Sequence, residues 1–274
     1  MSALSALSVQ TPILDHIVIL VSHSTLLTLS TDLEDSFTVI IGGSHADGLT
    51  SNNLIIFQDG SYIEVIAFFD DADPEKRASH RWGRLPENTI IDWAYTLPHE
   101  SDFAAVQQRV AEAQSAYAYG DPVPGGRERP DGEVLRWAVA GASDNTTGKR
   151  VSPGKLPFWC LDRTPRELRV PYQGNPQTKH PSGALGVAKV TVRVPEAQLE
   201  DVSKAYSAIH GSAPSGDRSW HFAVHSGAHA GGNHHQVSIT SAEEGADVTL
   251  VLLGTHQSSK NVHIVPGLSI RIES

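Results

Sequence analysis

The chain is short of cysteine, of positive charge and of long apolar runs, and each shortage removes a class of function. Cys160 is the only cysteine among 274 residues, so there is no intrachain disulfide framework and nothing points to an oxidising compartment. Lys and Arg number 21 against 31 Asp and Glu, a formal charge of −10. Nucleic acids and anionic membranes are bound largely by clustered basic side chains, so neither partner is expected. The best apolar run, Ile13 to Val21, carries Asp15 and His16 inside it; a membrane helix needs roughly 20 apolar residues in a row. The opening Met-Ser-Ala-Leu-Ser-Ala-Leu-Ser has neither a positive start nor a sustained apolar core. A secretory signal is therefore not expected, and a cytoplasmic location is.

What is present reads as a turn-rich, strand-rich globule. Charged residues make up 19%, with 23 Gly and 16 Pro, and the length suits one large domain or two smaller ones. Three segments repeat the order strand, helix, three strands. The first runs from the β-branched stretch Leu14–Val21, through leucines 26, 27, 29 and 33 with Ser24 as cap, to strands at Phe37–Ile41, Leu54–Phe57 and Tyr62–Phe69. Gln58-Asp-Gly-Ser61 joins the last two as a hairpin. The second opens at Ile90–Leu97. Phe103, Val106, Val110, Ala113 and Tyr117 then share a helical face, capped by Ser101 or Asp102, before strands near Arg127, at Val134–Ala140 and at Pro157–Asp162. The third starts at Leu185–Val194. Leu199, Val202, Tyr206 and Ile209 mark its helix, and strands are expected at Trp220–Val224, Gln236–Thr240 and Val248–Leu253. The fold class is α+β, built of βαβββ modules. Two modules fill residues 12–164, a Pro/Gln/Asn-rich linker spans 165–184, and a third module occupies 185–274. An odd module leaves open sheet edges, which would dock on the first two or pair with a second copy in a homodimer.

His16 and Glu64 each interrupt an apolar strand. Alternation puts His16 on one face with Leu14, Val18 and Leu20, and Glu64 with Tyr62, Ile66 and Phe68. Burying such groups is costly unless they are paired or hold a metal. A hydrogen-bonded His–Glu pair and a divalent-ion site both answer that need. His45 stands in the turn Ile41–Gly48, where it can exchange protons near neutral pH or simply be solvated. Thr50 and Asn52 can orient a substrate or cap a turn. Arg127 and Arg129 can clamp a carboxylate or form surface ion pairs, and Trp137 can wall a pocket or fill the core. Five histidines bunch at 221, 225, 229, 234 and 235. Glycines at 227, 231 and 232 argue against a helix there, so a solvated strand face followed by a Gly/His loop is expected. Cys160 reads as packing.

Several of these stretches resemble a known family. Leu14-Asp-His-Ile-Val-Ile-Leu-Val21, Gly42-Gly-Ser-His45, Thr50-Ser-Asn52 and Phe57–Ala67 look like the glyoxalase-like domain family of the vicinal-oxygen-chelate superfamily. Arg127–Gly132, Leu135-Arg-Trp137, Leu156-Pro-Phe158 and His180–Gly186 continue the likeness. The resemblance implies paired βαβββ modules curled into an open barrel around a divalent ion (zinc, iron, manganese or nickel), with ligands on the first and last strand of each module. It makes His16 and Glu64 first-module ligands, with His180 a further donor, and His45 and Glu64 the catalytic acid/base groups. Thr50, Asn52, Arg127, Arg129 and Trp137 would bind a small oxygenated substrate. In the second module the matching positions are expected near Trp93, beside Asp92, and at Trp159 or Cys160. The implied function is a metal-assisted lyase or isomerase. A metal-free binding protein and a ring-cleaving dioxygenase are the alternatives.

Overall fold

The computed structural model describes residues 10–129, 131–226, 235–243, 245–255 and 257–274. His229, His234, the glycines at 227, 231 and 232, Pro130 and the first nine residues lie outside them. The first half holds β1 (Ile13–Val21), α1 (His23–Asp32), β2 (Ile40–Ser44), β3 (Thr50–Ile56) and β4 (Tyr62–Phe68). Then come α2 (Pro74–Ser79), β5 (Thr89–Thr96), α3 (Phe103–Glu112), β6 (Tyr117–Tyr119), β7 (Val123–Glu128), β8 (Val134–Ala140), β9 (Ala142–Asp144) and β10 (Phe158–Asp162). After α4 (Arg166–Arg169) follow β11 (Ala184–Pro195), α5 (Leu199–His210), β12 (Ser219–His221), β13 (Gln236–Ala242), β14 (Asp247–Gly254), β15 (Lys260–Val265) and β16 (Leu268–Glu273). Ser22, not Ser24, caps α1, its side chain accepting from the Thr25 amide. Tyr117 has left the α3 pattern and begins β6, which pairs with β9 inside a stretch expected to be loop.

Eight strands form one sheet in the order β2-β3-β4-β1-β5-β10-β8-β7. β1 and β4 are parallel, β1 and β5 antiparallel, β5 and β10 parallel, so two βαβββ halves meet at the central β1–β5 pair. Arg127 on the edge strand β7 donates to the Gly42 carbonyl on the opposite edge strand β2 at 2.7 Å, which brings the two rims of the curled sheet together over a cleft.

The C-terminal region forms a further sheet module, as expected, and its strands fall into two halves rather than one βαβββ unit. Its six strands run β12-β13-β11-β14-β16-β15, with β11–β13 parallel, β11–β14 antiparallel and β14–β16 parallel. That is the pattern of the inner six strands of the first sheet, so the region is two truncated halves. β14 begins the second of these, in which no helix occurs among the described residues, and β15 and β16 complete it.

One apolar core is shared by both sheets. It takes the outer-facing Ile17, Ile19, Trp93 and Trp159 of the first sheet together with Val190, Tyr206 and Trp220 of the second; each fully buried side chain of this kind contributes about 1.5–3 kcal/mol. Trp93 and Tyr206 stack at 6.3 Å, and Tyr95 Oη lies 3.2 Å from His210 Nε2. The expected hairpin turn clamps the seam. Gly60 takes φ +86°, which only glycine adopts freely, and the buried Asp59 accepts from Ser61 and from the Val187 amide of β11. Residues 165–184 pack closely as they connect the sheets: Arg169, Val170, Thr178, His180 and Ser182 are all buried.

Candidate functional site

A β-bulge at Asp15 decides which way β1 points its side chains. The register steps from Leu14 opposite Tyr95 to His16 opposite Ala94, so Leu14 turns to the outer core with Ile17 and Ile19. His16 faces the cleft with Val18 and Leu20. The expected grouping of Leu14 with His16 fails for that reason, since one extra residue reverses the alternation. On β4, Tyr62 lies opposite His16 and Glu64 opposite Val18, which brings both carriers of chemistry to one wall.

That wall forms a compact network. His16 Nε2 is 3.6 Å from Glu64 Oε2, and His45 Nε2 is 3.4 Å from Glu64 Oε1. Asn52 donates to Glu64 Oε1 at 2.5 Å, and His45 Nδ1 meets Thr50 Oγ1 at 2.7 Å. A Cβ at Gly42 would fall 2.0 Å from Asn52 Oδ1, so glycine there is what admits the amide. Burial pushes the Glu64 carboxyl up, but His45, His16 and the Asn52 amide outweigh it and hold the group at about 2. Burial likewise disfavours the His45 cation, yet the Glu64 charge carries its pKa above the ordinary value.

Behind His16 lies a second, fully buried layer. His16 Nδ1 is 2.5 Å from Asp15 Oδ1, and Arg166 and Arg169 bind both Asp15 oxygens at 2.5–3.0 Å. Burial opposes the Asp15 charge, and the two guanidiniums win, holding its carboxyl well below the usual range. An ionised Asp15 accepts from Nδ1–H, which turns Nε2 toward Glu64. Arg169 also donates to Tyr62 Oη at 2.9 Å, and the Tyr62 ring stacks on His16 at 4.7 Å. Both arginines come from α4, in the stretch expected to be a linker.

The cleft encloses about 280 Å³. His16, His45, Thr50, Asn52, Glu64, Arg127 and Trp137 all line it. Two expected members stand elsewhere. Arg129 donates to the Leu168 carbonyl and to Asp131 outside the lining. His180 receives the Thr38 amide on Nδ1 and meets the Ile56 carbonyl with Nε2, packed between Phe37 and Phe57. His225, expected on a solvated face, is half-buried against Tyr172, and burial takes it to about 3. Sequence reading missed the trio His80-Arg81-Trp82, which follows α2 and closes one side of the cleft. The juxtaposition of a cation, an imidazole and an indole in a Gly/Pro-bounded turn was the available signal.

The second half of the sheet corrects the expected ligand positions. β5 carries a matching bulge at Ile91, where Val18 faces Asp92 but Ile19 faces Ile90. A two-fold rotation about the Ile17–Trp93 pair therefore brings His16 onto Asp92 and Val18 onto Ala94. Since Ala94 lies opposite Phe158 on β10, Glu64 corresponds to Phe158. Trp93 and Trp159 point into the outer core instead. Asp92 is saturated: Arg81 and the Trp82 indole bind Oδ2, and the Trp93 and Gly154 amides bind Oδ1. Phe158 has no donor, and burial raises the Cys160 thiol's pKa, which holds it protonated. Among the described residues no group of three or more His, Cys, Asp or Glu is arranged to hold one ion. The His16 and Glu64 atoms offer a divalent ion two donors, and the facing half offers none; the residues present do not complete the set.

A family model described as glyoxalase-like domain matches residues 14–209. No curated protein matches the sequence significantly. A hypothetical protein from Staphylococcus aureus is similar in structure over 96% of this chain and 99% of its own, at 13% identity and TM-score 0.64. The 2,3-dioxygenase LapB from Pseudomonas sp. KL28 covers 97% and 93% at 9% identity and TM-score 0.54. A mutant of 4-hydroxymandelate synthase from Streptomyces coelicolor covers 89% and 71% at 14% identity and TM-score 0.50. At these identities the likeness is one of fold.

Proposed function

The chain belongs to the glyoxalase-like domain family, and from that premise we propose that it is an enzyme that moves a proton beside a carbonyl group of a small organic molecule, a lyase or isomerase step. The observation that carries this reading is the His45–Glu64 pair on the cleft wall. A carboxylate held at about 2 is too weak a base for work near neutral pH, whereas an imidazole is suited to carrying protons there. Glu64 is thus the fixed anion and His45 the proton carrier, with its side chain 23% exposed to the cleft. Thr50 steers the far nitrogen of His45, Asn52 holds Glu64, and Arg127 and Trp137 bound the space over them. His16, fixed by Asp15, presents Nε2 to the same carboxylate. With two donors on one wall and Asp92 already saturated, the proton transfer is derived from protein groups alone.

The test is solvent-deuterium exchange into 2-oxobutanoate and acetylacetone, followed by NMR, with chelator and then with added zinc, iron, manganese or nickel. The expected result is accelerated exchange under chelator, reduced about 10²-fold in His45→Gln. Exchange that appears only with an added ion would replace this mechanism by a metal-assisted one. No acceleration under any condition would leave a small-molecule binding protein, and oxygen uptake with catechol and iron would make it a ring-cleaving dioxygenase.

A further inference from the structure

The two-fold relation within the first sheet exposes a second group in the cleft. The positions that match His16 and Glu64 hold Asp92 and Phe158, and one side chain touches both. Arg81 Nη2 binds Asp92 Oδ2 at 2.5 Å, and its guanidinium carbon lies 4.7 Å above the Phe158 ring. The Trp82 ring flanks it at 5.3 Å. Arg81 is 22% exposed, in the lining shared with Glu64 and His45. Of the three guanidiniums in that lining, Arg169 is committed to Asp15, Asp162 and Tyr62. Arg127 has given one N–H to the Gly42 carbonyl on the rim and stands away from Asp92 and the aromatic pair. Arg81 has given one N–H to Asp92, and among the described residues no other acceptor takes its remaining donors. It also borders a second cavity of about 520 Å³, where a Cβ on Gly141 would sit 3.8 Å from Nη1.

We infer that Arg81 is a resident cation of the cleft and binds the planar carboxylate of an aryl or alkyl acid, opposite the His45–Glu64 wall. A guanidinium offers five N–H donors in a planar fork that matches two adjacent oxygens. Its own anion, Asp92, is fully buried and supplies the charge that keeps the fork in place. Phe158 and Trp82 present aromatic faces beside it, which suits a flat apolar body on the acid. The assignment rests on the cleft being the substrate site, and it adds what the proton-transfer reading leaves open: the chemical class that enters.

The test compares benzoate with benzamide, its neutral isostere, by calorimetry on the full chain under chelator. Wild type is expected to prefer benzoate. Arg81→Gln leaves Asp92 buried and unpaired, so Arg81→Gln/Asp92→Asn is the informative variant. Circular dichroism checks its fold. It should lose benzoate affinity about tenfold or more, the worth of a charge-assisted pair, with benzamide unchanged. Arg81→Lys should recover only part, because an ammonium cannot fork. Equal benzoate affinity in wild type and the double variant would overturn the inference, as would wild type that does not bind benzoate or binds it only with added manganese. Because binding is read without turnover, a failed exchange assay leaves this result standing.

Discussion

The two halves of the cleft share a backbone plan and differ in charge. On the first-half wall a buried carboxylate gathers His16, His45 and Asn52 around itself. On the second-half wall Asp92, which takes the place of His16, is closed off by Arg81, Trp82 and two amides. The same bulged strand pair thus yields an acid–base wall on one side and a cationic, aromatic wall on the other. Each half also sends arginine across to the other, one from the first and two from the second. Arg81, after the last strand of the first half, reaches Asp92 on β5, while Arg166 and Arg169, after the last strand of the second, reach Asp15 on β1. The duplication supplied a frame, and the chemistry came from what these exchanged arginines neutralise.

The largest expected effect comes from erasing the charge of the first wall. Glu64→Gln keeps the size and the Asn52 contact region but leaves only Asp47 to oppose the burial that lowers His45. Exchange should fall by about 10²-fold, and the acid limb of its pH profile should move to lower pH. The pair also sets a stability window. The folded value of Glu64, about 2 against an ordinary 4.5, makes its contribution present above 4.5 and lost as pH falls toward 2. His45 is raised, so its contribution is present below 6.5 and lost as pH rises through its folded value. Urea unfolding of both proteins should therefore differ most between about pH 5 and 6. A difference that stays flat across pH would mean the two groups are not coupled.

The next effect tests whether the layer behind the first wall acts as a unit. Arg169 is 7% exposed and joins Asp15, Asp162 and Tyr62. Arg169→Met fills the space but leaves Asp15 with Arg166 alone, and removing one partner of a buried ion pair costs about 3–5 kcal/mol. The ¹⁵N spectrum of His16 should change as well, since the acceptor for Nδ1–H is weakened. A loss below about 1 kcal/mol with an unchanged His16 signal would assign the whole task to Arg166.

These comparisons also mark how far the sequence could be read. The first wall was legible because its signals are local: a histidine and a glutamate in apolar strands, and a His in a glycine-rich turn. The second wall was not, because its register depends on two bulges. Each bulge shifts side chains by one residue, so Trp93 and Trp159 stood where Asp92 and Phe158 belong. Arg166 and Arg169 were hidden in polar, proline-rich sequence that looks like linker until α4 folds it over Asp15. In the C-terminal region β11 to β14 were legible as strands and β15 and β16 were missed, so β14 could be given to its own half only once its antiparallel pairing with β11 was visible.

The smallest expected effect separates spacing along the chain from place in the cleft. Arg127 and Arg129 are two residues apart on and just beyond β7, and both could serve a substrate by sequence alone. In the structure Arg127 spans the rim to Gly42, while Arg129 is about one-third exposed and spends its donors on Leu168 and Asp131. An exposed pair of that kind is worth about 0–1 kcal/mol. Arg129→Ala should accordingly unfold within about 1 kcal/mol of wild type and exchange protons at about the same rate, whereas Arg127→Ala should weaken both the rim and substrate retention. If Arg129→Ala instead slowed exchange as Arg127→Ala does, the mouth of the cleft would have to extend past β7 to the turn at Asp131, and the wall of the site would be wider than its present lining.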